Sequence, residues 1–492
     1  MNILPFVLIV TLLVGSLSCY LFGRIHPKPK FTGLFSLLFL IGALVELFEF
    51  YPGTERVTYS LWGAQTFLEA NGLAVFLGVV AVGLGILVAI FDVRHTENFS
   101  GIGRYYALVL LMIAGTIGIG FAGDLFNLFV FFEVMAIPSY VLVAFEKEKR
   151  QPVEAAIKYT VMSCFGSLLA LAGISVIFMY TGSLDLNTLA QGVSNMPSLV
   201  AIAAVLLIIV GFGVKVAIVP LHMWLPDAYQ VAPSGISALL SGITSGAGLI
   251  AMLKALAILL PTGVHSGVVL IIFGIVGMFL GNFVALVQTD LKRMLAYSSI
   301  AHMGYILMAI GLGLNYLPVA GEFAFRGAFF HIMNHAVMKG GAFLCAGAII
   351  QCIGASGLKE IRGVGRKNIL VGVAFAFFAF ALAGMPPLNG FVSKFFICKA
   401  GADAGGWGIM AMIMLILNSA ISLGYYLPAL NTILFSRDAS EKAEKAKPTS
   451  VWIGIPLVIM IVLTVLLGVY PELGLKIVNP AVEYMMDFAG GL

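Results

Sequence analysis

Four charged side chains lie inside apolar segments long enough to span a membrane, and residues in such places commonly carry protons or ions. They are Glu133, Lys215, Lys339 and Lys394. Each would cost about 2.5 to 3.5 kcal/mol if it stood unpaired at the centre of a bilayer. Burial disfavours the charged form of a lysine and a nearby carboxylate favours it, so a lysine beside a carboxylate can take up and release a proton. Internal pairing, helix capping or snorkelling explains a single such charge equally well, but four together favour a proton or ion path.

Histidines add to this pattern on one span. His331, His335 and Lys339 follow one another at intervals of four residues, so they lie on one helix face about 6 Å apart. One water could bridge each gap, which predicts a relay. A His-x3-His pair also suits zinc, but the sequence places no third ligand nearby, and we expect no metal. Three further candidates for the relay are His222, His302 and Lys158.

Two of the lysines lie beside residues that interrupt helices. Lys215 occurs in GFGVKVAIVPLHMWLP, and Lys394 ends LAGMPPLNGFVSK. Interrupted helices expose main-chain polar groups at mid-membrane depth in transporters. Proline kinks that serve packing alone are as common, but a charge beside a break in two separate spans favours a function.

The segments that carry these residues are those of an all-α polytopic membrane protein. Charged residues make up 10% of the 492 residues and hydrophobic ones 61%, which excludes a soluble globule and a disordered chain. The apolar runs reach roughly 18 to 25 residues, enough to cross the hydrocarbon core as helices, and this excludes a β-barrel. We expect residues 472–492 to form a surface segment. Fourteen spans are predicted to begin near Ile3, Phe31, Gly72, Tyr106, Leu125, Glu154, Ser198, Ser234, Gly267, Ser298, Ala324, Asn368, Gly406 and Val451.

Basic residues predict the orientation of the spans. With the N-terminus outside, 18 lysines and arginines fall in inner loops and five in outer loops or at outer span ends. Lys292 is counted among the inner residues and Lys254 among the outer ones. This asymmetry follows the positive-inside rule and predicts a cell-membrane protein with both termini on the outer side.

Cysteine usage and net charge limit the function further. The five cysteines form no CxxC, so we expect neither a disulfide framework nor an iron–sulfur cluster, and no cofactor in this chain. The net charge of +4 is attributed to loop orientation, so no nucleic-acid partner is expected. Residues 1–23 lack a leading positive charge and a cleavage site, and are interpreted as the first span.

Five strings around these residues resemble the antiporter-like subunits shared by respiratory complex I, multisubunit sodium/proton antiporters and membrane-bound energy-converting hydrogenases. The resemblance covers nearly the whole chain after about residue 70. It implies fourteen helices with two inverted five-helix repeats, dividing the chain into residues 1–105, 106–260, 261–437 and 438–492. The strings are FFEVMAIPSY around Glu133, PLHMWLPDAYQVAPSGISALLSG from Pro220, QTDLKRMLAYSSIAHMGY from Gln288, HIMNHAVMKGGAFLCAG from His331 and AGMPPLNGFVSKF from Ala383.

The resemblance also implies roles for individual residues. Glu133 matches the glutamate of the family's fifth helix, Lys215 the lysine of its seventh and Lys394 the lysine of its twelfth. The implied mechanism is a Glu133–Lys215 pair whose making and breaking changes the proton affinity of the lysine, after which protons pass along the membrane centre toward Lys394. Polar positions along that axis are matched by His302, His331, His335 and Lys339.

One position departs from the family pattern. The family places a lysine after the SALLSG string, whereas this chain reads SALLSGITSGAG and has Gly246 there. Either water and the hydroxyls of Ser241, Thr244 and Ser245 bridge the gap, or the subunit conducts differently or not at all. Tyr229 stands where many relatives have histidine, which is a milder difference.

Three functions are compatible with these features. The leading hypothesis is a proton-translocating subunit of a respiratory or antiporter complex. It would move protons or sodium ions, contact lipid and further antiporter-like subunits, and perform no redox step itself. The alternative is a structural spacer that has lost conduction, as Gly246 suggests. A third is a self-sufficient transporter of a small solute, but no organic substrate site is evident. Glu133, Lys215 and Lys394 favour the first hypothesis.

Overall fold

The computed structural model describes residues 4–26, 28–49, 55–61, 64–436 and 438–491, and these residues are almost entirely helical. Three residues at predicted boundaries lie outside the described residues. They are Ile3, at the start of the first predicted span, and residues 437 and 492, at the ends of two predicted domains. The helices are α1 (Leu4–Ile25), α2 (Pro29–Glu49), α3 (Gly72–His95), α4 (Ile102–Phe121), α5 (Leu125–Val143), α6 (Arg150–Thr181), α7 (Leu189–Val193), α8 (Ser198–Val216), α9 (Trp224–Val231), α10 (Ser234–Leu239), α11 (Ser245–Ala257), α12 (Ser266–Leu286), α13 (Leu291–Asn315), α14 (Leu317–Ile353), α15 (Val364–Lys367), α16 (Ile369–Ala383), α17 (Asn389–Ala404), α18 (Gly406–Leu430), α19 (Glu441–Glu444), α20 (Val451–Val469) and α21 (Glu472–Gly490).

Every predicted span corresponds to helical structure in the described chain. Thirteen stretches are long and apolar enough to cross a membrane. One of them is the eighth span, in which α10 and α11 are joined by a π-helical turn at Leu240–Thr244. The remaining predicted span, the twelfth, is divided into α16 and α17. The prediction of an all-α polytopic membrane protein with broken seventh and twelfth spans is therefore confirmed, while the domain boundaries stay a prediction.

Two elements add to the helical spans. An antiparallel hairpin of β1 (Glu55–Leu61) and β2 (Ala64–Ala70) links α2 to α3, where the sequence predicted only a loop. The predicted surface segment forms α21, which packs on α3 and α14 and has Val478, Val482 and Met485 among its buried residues. One face of this helix is therefore buried against the spans.

The spans that carry most of the polar residues are also the ones most shielded from lipid. In the apolar windows of the eighth and tenth spans, 100% and 94% of the residues are buried, compared with 28% in the first span. Polar side chains in lipid would lack hydrogen-bond partners, so they favour the centre of the helix bundle. This arrangement places a polar centre inside an apolar shell.

Small residues fix the position of α13 at this centre. A Cβ atom built on Gly274 of α12 would lie 2.7 Å from the carbonyl oxygen of Gly304 on α13, and one built on Gly304 would lie 2.6 Å from that of Gly274. Gly267 and Gly311 repeat this approach two turns away. Close backbone packing of this kind is a common way for membrane helices to associate. It holds the polar face of α13 against α14.

Candidate functional site

The first helix break places Lys215 at the end of a half-helix. α8 ends at Val216, and Ala217 adopts a left-handed conformation with a φ of 60°. The indole Nε1 of Trp224, at the start of α9, donates to the carbonyl oxygen of Val214 at 2.8 Å. The same indole stacks on Tyr159 with ring centroids 3.9 Å apart. Trp224 therefore provides a hydrogen-bond donor for a main-chain carbonyl group next to the helix break, and it also positions Tyr159.

Hydroxyl groups and aromatic faces surround the Lys215 ammonium. The Lys215 side chain is buried, and its Nζ donates to Ser139 Oγ at 2.9 Å and to the Tyr159 hydroxyl. The Nζ atom also lies 4.7 Å from the ring centroid of Tyr159 and 5.0 Å from that of Tyr140. Such faces attract a cation. The site therefore holds the ammonium without a carboxylate in direct contact.

Glu133 lies nearby on α5, half-buried, and accepts a hydrogen bond from Ser167 of α6. In the described part of the chain, it forms no ion pair with Lys215 within 4.0 Å. The two charges are still close enough to interact electrostatically. The structure thus brings both residues into one region but pairs each with hydroxyl groups, and the Glu133–Lys215 pair stays a prediction.

The second helix break holds Lys394. α16 ends at Ala383, and α17 begins at Asn389. The Lys394 Nζ donates to the carbonyl oxygens of Leu382 and Ala383, both at 3.0 Å. Gly384 has a φ of 87°, and a Cβ atom there would lie 3.0 Å from Nζ. Glycine is therefore required both for the turn and for the close approach of the lysine, whose charge favours the C-terminal end of a helix.

Two histidines connect α13 to the residue before Lys394. His302 Nδ1 and His331 Nε2 are 3.0 Å apart, and His331 Nδ1 lies 2.8 Å from Ser393 Oγ. All three side chains are buried. Because a neutral imidazole has one donor and one acceptor nitrogen, this run can exchange protons by a change of tautomer.

Lys339 extends the row of polar side chains formed by His302, His331 and Ser393, on the side away from Lys394. Its Nζ donates to Ser298 Oγ at 2.7 Å and to the Tyr426 hydroxyl at 3.2 Å. Ser298 lies one turn from His302 on α13, and His335 lies one turn from Lys339 on α14. The rings of His302 and His335 are 5.4 Å apart. Lys339 and the histidines therefore form one cluster.

Sequence analysis missed the hydroxyl partners of these lysines. Ser298 carries a signal that could have found it, because it stands four residues before His302 and so shares its helix face. Ser393 directly precedes Lys394. Tyr159 and Tyr426 gave no such signal, because they come from other helices and only the fold brings them to the lysines.

The structure places two predicted relay residues away from this row. His222 is buried in the turn between α8 and α9, and its Nδ1 has no hydrogen-bond partner in the described chain. Lys158 is half-exposed and forms ion pairs at 3.0 Å with Glu154 and with Asp227. Neither bonds to Lys215, and their roles stay predictions.

Two lysines that the sequence assigned to loops or span ends are buried instead. Lys254 donates to the carbonyl oxygens of Gly120 and Ala122 at 2.6 and 3.0 Å, at the end of α4. Lys292 donates to the carbonyl oxygen of Ala232. The prediction missed this because a long lysine stem can carry its ammonium to the free carbonyl groups of another helix.

The surroundings of Gly246 give an added Cβ atom one close contact. A Cβ atom there would lie 3.0 Å from Ile332 Cγ2 and within 4 Å of no other heavy atom of the described chain outside its own helix. Ser245 Oγ is 3.0 Å from the Tyr229 hydroxyl. Thr244 instead donates to the carbonyl oxygen of Leu240 on its own helix. No cluster of three metal-ligating side chains occurs among the described residues.

Comparison with known proteins gives matches over most of the chain. A family profile described as "NADH:quinone oxidoreductase/Mrp antiporter, TM" matches residues 122–422. The chain is 31% identical to the F(420)H(2) dehydrogenase subunit N of Methanosarcina mazei, and the alignment covers 97% of this chain and 98% of that subunit.

Solved structures of similar subunits share the fold. A subunit of the membrane-bound sulfane sulfur reductase, an archaeal respiratory membrane complex, superposes with a TM-score of 0.87 at 26% identity and covers 99% of this chain and 98% of its own. A subunit of the Mrp complex from Dietzia sp. gives a TM-score of 0.85 at 24% identity with the same coverage. The second match, at that identity, shows the fold alone.

Proposed function

We propose that this chain, which belongs to the NADH:quinone oxidoreductase/Mrp antiporter transmembrane family, is a proton-translocating subunit of a multisubunit respiratory or antiporter complex. Its sequence motifs had indicated the same family. It works in the cell membrane with both termini outside, among further antiporter-like subunits and lipid. Partner subunits supply the driving reaction, whether redox chemistry or exchange of sodium ions for protons.

The observation that carries the proposal is the buried row from Lys339 to Lys394. The side chains of Lys339, His302, His331 and Lys394, on α13, α14 and α17, are all buried. Each would be costly to bury without a purpose, since apolar residues would pack these helices as well. Hydrogen-bonded imidazole and hydroxyl groups between two lysines provide the alternating donors and acceptors that proton transfer needs.

Lys394 is the terminal carrier in this mechanism. Its Nζ accepts a proton delivered through His331 and Ser393, while the carbonyl groups at the end of α16 stabilise the resulting charge. It later releases the proton toward the outer side. Glu133 and Lys215, in the other half of the chain, control proton transfer along this row. Movement of Glu133 toward Lys215 would favour the charged lysine, and movement away from it would favour the neutral lysine.

Substitution of Lys394 tests the proposal. In the native complex reconstituted into liposomes, Lys394→Ala should abolish proton translocation per turnover of the driving reaction, measured with a pH-sensitive dye. Copurification of the partner subunits should be unchanged. Lys399→Ala is the matched control, because Lys399 is on the same helix, half-exposed and paired with Asp403. Undiminished translocation by the assembled Lys394→Ala complex would refute the proposal.

A structural spacer is the second candidate, and Gly246 favours it. The family pattern has a lysine at this position, and here the nearest side chain is the apolar Ile332. In a spacer, the other subunits would translocate all protons, so Lys394→Ala and Lys215→Met would leave the number of protons per turnover unchanged. The same liposome assay therefore separates the two functions.

A further inference from the structure

The eighth span carries a row of buried serines that the mechanism above does not use. Ser234, Ser237, Ser241 and Ser245 follow one another at intervals of three or four residues, and we call them the serine row. Residues at this spacing share a helix face with about 5 to 6 Å between their Cβ atoms. The row begins at the end of the span that adjoins the basic loops and ends beside Gly246.

Each hydroxyl of the row can both donate and accept a hydrogen bond. Ser237 Oγ donates to the carbonyl oxygen of Tyr229 at 2.8 Å, and Ser241 Oγ is 3.0 Å from Ser299 Oγ. Ser245 Oγ is 3.0 Å from the Tyr229 hydroxyl. Small polar residues of this kind also serve helix packing, so the titratable groups beside the row decide its role.

At the basic-loop end stands Asp92, in the last turn of α3. The side chain is fully buried, and its Oδ2 accepts a hydrogen bond from the Tyr105 hydroxyl at 2.6 Å. Its Oδ1 has no partner in the described chain. A Cβ atom on Gly235 would lie 2.5 Å from both oxygens of this carboxylate, so the Asp92 carboxylate lies against the first turn of the eighth span. A buried oxygen without a partner is costly.

His335 of α14 stands beside the third serine of the row, because its ring lies against the main chain of Ser241. It is 1% exposed, and its Nε2 has no partner in the described chain. Two buried proton-binding side chains, each with an unpartnered atom, therefore lie along one row of hydroxyls, Asp92 at its start and His335 beside Ser241. Packing alone does not require this arrangement.

We propose that Asp92 takes up protons near the basic loops and passes them along the serine row to His335. The proton binds Oδ1. Each hydroxyl, with water in the gaps, accepts a proton and releases its own, and Nε2 of His335 receives the last one. This route rests on the proposed function and deepens it, because it supplies the histidines without the lysine that Gly246 replaces.

Other titratable groups face this intake from neighbouring helices. Tyr105 and Tyr106 of α4 face Asp92. His95, one turn along α3, accepts a weak hydrogen bond from the Ser234 nitrogen at 3.4 Å and is within electrostatic range of Lys292. The Lys292 ammonium, bonded to the carbonyl oxygen of Ala232, is therefore a further charge near the intake.

The first test replaces Asp92 with its uncharged isostere. Asp92→Asn keeps an acceptor for Tyr105 but cannot carry a proton. Translocation by the native complex in liposomes should therefore fall at least about tenfold, which is less than the roughly 100-fold typical of a positioned proton-transfer group because water can partly replace the carboxyl group. Glu97→Gln, an exposed carboxylate just beyond α3, is the control. Infrared spectra of the complex should also lose one protonated-carboxyl band in Asp92→Asn alone.

The second test covers the possibility that Asp92→Asn does not assemble. Ser241→Ala should slow translocation severalfold, while Ser36→Ala, which removes an equally buried hydroxyl that donates within α2, should not. Wild-type translocation by Asp92→Asn, or equal behaviour of the two serine variants, would overturn the route. If Lys394→Ala still stops translocation in that case, the proposed function stands and only the intake is wrong.

Discussion

Lys215 and Lys394 both lie beside a helix break, but different groups hold their ammonium ions. Lys215 bonds to two side-chain hydroxyls and lies over two aromatic rings. Lys394 bonds to two main-chain carbonyl groups at the end of a half-helix and lies over one ring, that of Tyr305. Neither lysine forms an ion pair within 4.0 Å in the described chain, but the carboxylate of Glu133 is within electrostatic range of Lys215.

This difference suggests that the two halves work differently. The hydroxyls around Lys215 can rotate, and Glu133 can move, so the charge of this lysine can be switched by side-chain motion. The carbonyl groups around Lys394 belong to the backbone and keep a fixed orientation, so they stabilise the charged lysine at all times. The Lys215 site is therefore suited to controlling proton transfer, and the Lys394 site to holding a proton until it is released.

The largest expected effect is that of Lys215→Met. Methionine keeps the length and apolar volume of the side chain but removes the proton carrier, so translocation in liposomes should fall at least about 100-fold. Lys149→Met, an exposed lysine paired with Glu146, serves as the control. Normal translocation in Lys215→Met would show that only the second half conducts.

Most of the fold was predictable because it depends on the length and polarity of the spans. The sequence indicated all fourteen spans, since an apolar helix must match the thickness of the bilayer. The hairpin of β1 and β2 was not predictable, because two strands of seven residues carry little signal in a polar connection. The burial of Lys254 was also missed, since its partner carbonyl groups belong to a distant helix.

The site was predictable in part for the same reason. Charges inside apolar spans identified Lys215, Lys339 and Lys394, because such residues are costly wherever they lie. Their hydroxyl partners come from several helices, and only the packing of those helices brings them together. Asp92 was missed because it stands at the end of a span, next to Arg94, where the sequence alone suggests a solvated charge.

A smaller effect is expected for Tyr159→Phe. The phenylalanine ring would keep the stacking on Trp224 but lose the hydrogen bond to Lys215. A hydrogen bond to a charged group is worth about 1.5 to 3 kcal/mol, so translocation should fall roughly tenfold. Tyr180→Phe, at an exposed position of the same helix, is the control. If Tyr159→Phe behaved like that control, the Tyr159 hydroxyl would have no part in changing the charge of Lys215.

The smallest effect is expected for Gly246→Lys. A Cβ atom at this position would meet one close neighbour, Ile332 Cγ2 at 3.0 Å, at the end of a flexible side chain, so we expect the complex to assemble and translocation to be unchanged or increased up to a few-fold. Gly242→Lys is the contrasting variant, because a Cβ atom there would lie 2.4 Å from Leu84 and 3.2 Å from the Ala336 backbone. Crowding of that kind typically costs about 1 to 3 kcal/mol, and this variant should lower the yield of complex. Reduced translocation in a fully assembled Gly246→Lys complex would show that an added cation at this position blocks transfer between the two halves, which would then depend on the absence of the lysine rather than merely tolerate its loss.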